Sequence, residues 1–164
     1  MTEKGFTIRP GRREDAAAAA HLWMQSAEEH TAYDEVYATA PGAERMMRRF
    51  LADLSAGGHS FLFVAACGER IIGFISGELR EGSPAFQPKT WASVDDVFVD
   101  PQYRNLGVGR ALIEAVKEWA RERDASGVSL QVAAANERGR KFYRDLGFRE
   151  VSIYNLLELR PTDE

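Results

Sequence analysis

Hydrophobic and polar positions divide the chain into short apolar runs and longer stretches in which apolar residues recur every three to four positions. The run Phe6 to Ile8 reads as a strand and stops at Pro10 and Gly11. Glu14 and Asp15 then fall in the first turn of a helix, where carboxylates complement the dipole, and the alanines 16 to 20 carry it to about Glu29. Pro41 and Gly42 open a second helix with Met47, Phe50, Leu51 and Leu54 at helical spacing, ended by Gly57-Gly58. Strands follow over Phe61 to Ala66 and Ile71 to Leu79, joined at Gly68 as a hairpin. A loop-like stretch from Arg80 to Thr90, a candidate substrate lip, leads to a strand over Trp91 to Val99, closed by Asp100-Pro101. The clearest amphipathic helix sets Val108, Leu112, Ala115, Val116 and Trp119 against a charged face and stops at Gly127. Val128 to Val132 is a short strand, Asn136 to Leu146 a helix capped by Gly147, and Phe148 to Leu159 a closing strand. The order implies an α/β domain over residues 1–164 with a mixed central sheet of about six to seven strands and about four helices. In it the hairpin is antiparallel, and the strand–helix–strand unit from Trp91 to Val132 is parallel.

Composition narrows the functional classes. Twenty-one Lys and Arg against 25 Asp and Glu give a net charge of −4, without the clustered basic face expected of a nucleic-acid partner. The mild acidity favours small or cationic partners. No apolar run approaches the roughly 18 residues needed to span a membrane, and the opening MTEKGFTIRP lacks a signal-peptide core, so a cytoplasmic protein is expected. The single cysteine, Cys67, excludes an internal disulfide and a Cys-rich zinc site, and reads as a small core residue. His21, His30 and His59 have no metal-ligand spacing and read as surface or packing residues; no metal is expected.

The stretch from Asp95 to Leu112 carries the chemistry. Strand, turn, glycine-rich loop and amphipathic helix follow one another, an order that presents free backbone N–H groups at a helix N-terminus to an anion such as a pyrophosphate. A P-loop would need Lys-Ser/Thr after its last glycine, but Arg110-Ala111 follows Gly109. A dinucleotide fingerprint would need a third glycine where Leu112 stands.

Arg104, Gly107 and Gly109, spaced as Arg-x-x-Gly-x-Gly after a hydrophobic strand, resemble the acetyl-CoA-binding motif of the GCN5-related N-acetyltransferases. The segment Asn136 to Phe148 is similar to that family's Asn-x-x-(Ala/Gly)-x-x-Phe-Tyr-x-x-x-Gly-Phe, and Ile8-Arg9-Pro10 with Glu14-Asp15 to its first strand and helix. The resemblance spans essentially the whole chain. It implies the family fold and acetyl-CoA as cosubstrate. Backbone groups around Val97, Phe98 and Val99, on a strand splayed by a bulge, would pair with the pantetheine arm. Arg104 and the loop Asn105, Leu106, Gly107, Val108, Gly109 and Arg110 would hold the pyrophosphate. Asn136 would contact the cosubstrate, or simply cap its helix, and Tyr143 would lie near the thioester sulfur.

The proton acceptor is the open position. Some relatives place a glutamate five residues before the asparagine, where this chain has Gln131, which is no base at neutral pH. Attention moves to Asp95 and Asp96. Neighbours on a strand point to opposite faces, so only one should face the acceptor unless the bulge intervenes, with Asp95 preferred. Glu28, Glu29, Tyr33, Asp34 and Trp91 are candidate acceptor contacts. The implied reaction moves acetyl from acetyl-CoA directly to a primary amine, with a small cationic amine expected. A protein lysine or N-terminus is an alternative acceptor. A non-catalytic acyl-CoA-binding module, or an interaction domain that forms a homodimer through a sheet edge, is the alternative function.

Overall fold

The computed structural model describes residues 5–159. Five strands, β1 (Thr7–Pro10), β2 (Ser60–Cys67), β3 (Arg70–Glu81), β4 (Thr90–Val99) and β5 (Gly127–Leu130), lie side by side in chain order. The first three pairings are antiparallel and β4 with β5 is parallel, as a crossover through helix α3 (Val108–Arg121) requires. Helices α1 (Ala16–Thr31) and α2 (Ala43–Leu54) cover one face of the sheet. On that side Ala16, Ala19, Ala20, Leu22, Leu51 and Leu54 pack on Leu62, Val64, Phe74 and Phe98. Helix α3 covers the other face, where Val108, Leu112, Ile113, Val116 and Trp119 meet Phe61, Ala65, Ile72, Ile75, Ala92 and Val94. Helix α4 (Glu137–Asp145) adds Tyr143 at the margin of this second core.

The opening motif has a mechanical reason. Arg9, on β1, forks onto Asp15 with bonds of 2.6 and 2.9 Å, and the Arg12 N–H donates to the same carboxylate at 2.7 Å. The Arg9 hydrogen bond holds the buried Asp15 below the usual carboxylate range, so the tie is complete above that range and fails as pH falls through the lowered value. It fixes where α1 leaves the first strand.

Three expectations need correction. The stretch from Arg80 to Thr90 is ladder at its ends: Arg80 pairs with Trp91 and Glu81 with Thr90, so the loop is the shorter 82–89. Phe50 shares the helical spacing of Leu51 and Leu54 but is 43% exposed on α2. Phe148 to Leu159 does not close the sheet: among the described residues the chain beyond α4 joins no ladder, which leaves five strands, slightly fewer than the approximate six to seven. Among the described residues no helix is long and apolar enough to cross a membrane.

Candidate active site

The site begins where the sheet opens. Pairing between β4 and β5 covers only Trp91 to Val94 against Gly127 to Leu130, so from Asp95 to Val99 one edge of β4 has no strand beside it among the described residues. On the opposite edge the Asp100 N–H donates to Ile72 O at 2.8 Å. Main-chain groups alternate edges along a strand, so those of Val97 and Val99 face the opening. The Val99 carbonyl accepts from Arg104 Nε at 3.0 Å.

A bulge sits at the same place. In the register with β3, Ser76 faces Asp96 and Gly77 faces Val94, which makes Asp95 the extra residue. One inserted residue exchanges the two faces of a strand. Before it Ala92 and Val94 pack toward α3, and after it Phe98 packs toward α1 and α2. Asp95 and Asp96 consequently share the α1 face. Asp95 pairs with Arg80 at 2.9 Å, whose other bonds reach Glu78 and Ser93, and Asp96 Oδ1 accepts from Trp23 Nε1 on α1 at 2.9 Å.

Both carboxylates are pushed above the ordinary range by burial. For Asp95 the Arg80 guanidinium opposes the rise; for Asp96 the Trp23 hydrogen bond opposes it and the charge of Asp95 adds to it. The hydroxyl of Ser76, fully buried on β3, favours the Asp96 carboxylate by proximity but makes no hydrogen bond of ordinary geometry among the described residues. His30 is the group that sequence reasoning passed over. Its Nδ1 lies 2.7 Å from Ser26 O, which only accepts, so Nδ1 carries the proton and a neutral ring keeps its lone pair on Nε2. Its charged form favours the Asp96 carboxylate. Only the folding of α1 across the sheet relates His30 to β4, and no local spacing announces it.

On the α3 side of the opening the chain turns twice through positive φ, at Asn105 (64°) and Gly107 (87°), the second being the N-cap of α3. Gly107 has no side chain to cap the helix, and no acidic residue sits in the first turn. Among the described residues the N–H groups of Val108, Gly109 and Arg110 donate to no acceptor before the helix begins its own bonding at Ala111 N to Gly107 O. Three convergent donors and the positive dipole end fit a pyrophosphate. Leu106 is exposed and leaves the loop open to solvent. A Cβ on Gly109 would come within 3.1 Å of the Phe142 ring, so this glycine also lets α4 approach α3.

Other motif residues have structural partners. Arg104 binds Glu29 through two contacts of 2.9 and 3.1 Å and lies over the Phe98 ring, tying the loop to α1 and β4. Asn136 caps α4, accepting from Gly139 N at 2.9 Å. Tyr143 packs edge-on to Phe142 and Phe148; its hydroxyl has no hydrogen-bond partner among the described residues, and burial pushes its pKa up to about 12. The acceptor candidates scatter. Glu28 lines a groove of about 710 Å³ between α1 and α2, whereas Glu29 is held by Arg104. Tyr33 stands edge-on to His30, Asp34 accepts from Val36 N, and Trp91 lies four residues from Asp95, about 13 Å along β4.

Known proteins resemble this chain in sequence and fold. The model of the Acetyltransferase (GNAT) family matches residues 20–148. The chain is 30% identical over 171 residues to an aminoglycoside N(6')-acetyltransferase type 1 of Stenotrophomonas maltophilia, covering 99% of both chains. It is 27% identical over 150 residues to an uncharacterized N-acetyltransferase of Methanocaldococcus jannaschii, covering 92% of this chain and spanning 63% of that relative. Among solved structures, a tetramutant of the BH1408 protein of Bacillus halodurans superposes with a TM-score of 0.83 at 24% identity, covering 93% of this chain and 99% of that one. AAC(6')-Iy bound to the bisubstrate analogue CoA-S-monomethyl-acetylneamine superposes with a TM-score of 0.74 at 20% identity, covering 95% and 99%. A strand parted from its neighbour beside an uncapped helix N-terminus, with these matches across most of its length, places the chain in the acetyltransferase (GNAT) family of acetyl-CoA-dependent N-acetyltransferases.

Proposed function

We propose that residues 1–164 form one domain that transfers acetyl from acetyl-CoA to the primary amine of a small cationic molecule. The observation that carries this reading is the placement of Asp95 and Asp96 on one face of β4, where the strand parts from β5. Glu78, bonded to the same Arg80, adds a third carboxylate. The full-length match to an aminoglycoside acetyltransferase supports a small amine over a protein. The [ribosomal protein bS18]-alanine N-acetyltransferase of Escherichia coli, 36% identical, matches only 62 residues.

Acetyl-CoA supplies an acyl carbon activated as a thioester. The amides of Val108, Gly109 and Arg110 hold its pyrophosphate, and the open edge of β4 at Val97 and Val99 aligns the pantetheine arm. A lysine-like amine has a pKa of about 10.4, so its neutral form costs roughly 4.5 kcal/mol near pH 7, the larger burden in the reaction. Asp95, at the bulge, takes that proton; Asp96 behind it raises the affinity of the pair for protons and cations. Trp23 holds Asp96 in place.

Tyr143 faces the smaller burden. A phenol near pKa 12 stays protonated throughout the working range, so its O–H donates a hydrogen bond to the departing sulfur without a complete proton transfer. Tyr143→Phe is expected to lower kcat by roughly 10- to 100-fold while leaving CoA affinity within a few-fold. The pH profile of the wild-type enzyme should show no phenol limb below pH 11. Stopped-flow turnover beside calorimetry checks this, and an unchanged kcat would reduce Tyr143 to a packing residue.

The acceptor class is tested by thiol release from acetyl-CoA across polyamines, aminoglycosides, lysine peptides and peptide N-termini, beside a CoA-binding measurement. A small polyamine or aminoglycoside is expected to give the highest kcat/KM. A peptide substrate preferred by tenfold overturns the small-amine reading, and CoA binding without turnover on any amine points to the non-catalytic module.

A further inference from the structure

The acceptor side of the site already holds a cation of the chain's own. Alternation along β3 puts Ser76, Glu78 and Arg80 on the α1 face with Phe74, and Ser93 on β4 shares that face because Ala92 and Val94 pack toward α3. The Arg80 side chain runs back along this face toward the bulge. Its Nη1 donates to Ser93 Oγ at 2.9 Å, Nη2 lies 2.9 Å from Asp95 Oδ1 and 3.2 Å from Glu78 Oε1, and Nε donates to the same Glu78 oxygen at 3.2 Å.

No structural duty accounts for this hold. The pair of Arg104 with Glu29 joins a loop to α1, elements that share no ladder, whereas Arg80 joins β3 to β4, which already pair from Gly73 to Glu81. The Arg80 side chain is 50% exposed and that of Glu78 46%, and ion pairs so exposed contribute little to stability. Asp95 is what the guanidinium affects. At 2.9 Å it opposes protonation of that carboxylate and repels an arriving ammonium, the two events the reaction needs there. Deeper on the same face, opposite Asp96, the fully buried Ser76 hydroxyl has no hydrogen-bond partner among the described residues, so the row of oxygens runs past the guanidinium instead of ending on it.

We infer that Arg80 is a displaceable latch that sets acceptor specificity: a second cationic group of the acceptor takes the place of the guanidinium on Glu78 and Ser93, and Arg80 swings to solvent and leaves Asp95 free. The inference rests on the small-amine reading above and narrows it to a linear diamine. Ser93 stands two residues from Asp95, about 6–7 Å along β4, which sets the spacing between the acceptor's second cation and its reacting nitrogen. A monoamine offers nothing to Glu78, so the guanidinium stays on both carboxylates. A second cation satisfies Glu78 from farther back, where its repulsion of the reacting amine is weaker than that of a guanidinium in contact with Asp95.

The test compares diaminobutane with butylamine, which differ only in the second amine. With acetyl-CoA the wild-type enzyme is expected to favour the diamine in kcat/KM by at least about tenfold. Arg80→Gln removes the charge and should raise kcat/KM for butylamine by roughly tenfold, bringing the two substrates within about threefold of each other. Arg80→Lys, which restores a cation, should return the preference. An unchanged ratio in Arg80→Gln, or an equal loss with both substrates, overturns the inference. A second readout does not depend on turnover. In the complex with CoA, the nitrogen resonance of the Arg80 Nε–H, identified by its loss in Arg80→Gln, is expected to shift on saturation with diaminobutane and to stay in place with butylamine. A resonance that stays in place at saturating diamine overturns the latch even when amines are acetylated. Release of Arg80 by the diamine without acetylation of any amine supports the latch and overturns the acetyl-transfer reading instead.

Discussion

Asp95→Asn is expected to lower kcat/KM at pH 7 by roughly 10²–10³-fold, the contribution of a positioned general base. Much of that loss should return as pH rises toward the amine pKa of about 10.4, where solvent supplies the neutral nucleophile. Asp96→Asn should cost about tenfold, because it removes one charge beside the first, worth ~1–2 kcal/mol at an effective dielectric constant near 20. Strict alternation along a strand would make one of the two substitutions silent; the bulge at Asp95 turns both to the α1 face, and both should register. Stability moves the other way. Burial raises the Asp96 pKa in the folded chain above its unfolded value, so ionised Asp96 opposes folding above that raised value, and the opposition disappears below the unfolded value. Asparagine keeps an oxygen for Trp23 and carries no charge, so the Asp96→Asn melting temperature at pH 7 should be no lower than wild type. The checks are kcat/KM against pH for both variants and thermal unfolding of the second. A loss in Asp95→Asn that high pH does not restore makes Asp95 a positioning group, and a silent Asp96→Asn removes the shared face from the mechanism.

The difference between the two readings of this pair shows what a sequence of this kind discloses. The loop from Asn105 to Gly109 was legible because backbone geometry demands particular residues: positive φ at position 107 suits glycine, and a helix without an N-cap side chain leaves its amides free. The wedge between β4 and β5 was legible only through family resemblance, since a strand that loses its neighbour after Val94 keeps the same apolar spelling as one that does not. The bulge was expected from the same resemblance, but its position could not be read, for a related reason. Two adjacent aspartates read identically in either register, and only the pairing of Ser76 with Asp96 and Gly77 with Val94 exposes the extra residue. The partners of Arg104 lie 75 positions away on α1 and five positions away at the end of β4, so its motif position gave no sign of the tie that the guanidinium makes between them. The segment from Phe148 to Leu159 has a strand's alternation, yet periodicity states which residues share a face and not whether a neighbouring edge, in this chain, stands within reach.

Gly109→Val is expected to weaken CoA binding by at least about 100-fold, or ~2.7 kcal/mol, with cooperative unfolding retained. The position sits in the first turn of α3, where the N–H groups of Val108, Gly109 and Arg110 have no partner of their own among the described residues, and a branched side chain on the middle one is expected to crowd a phosphate held by all three. A second consequence has to be separated from the first. A Cβ here comes within 3.1 Å of the Phe142 ring, which stacks edge-on with Tyr143 at 5.2 Å between centroids, so a branched side chain also presses on α4. The companion Gly109→Val with Phe142→Leu relieves that pressure by replacing a planar ring with a smaller, adaptable side chain, and leaves the obstruction at the amides in place. Calorimetric titration of both variants with CoA distinguishes the two causes. If anion binding is what the glycine serves, the double variant stays as weak as the single. Recovery to within a few-fold of wild type in the double variant assigns Gly109 to helix packing, and undiminished affinity in the single variant removes the α3 N-terminus as the pyrophosphate site.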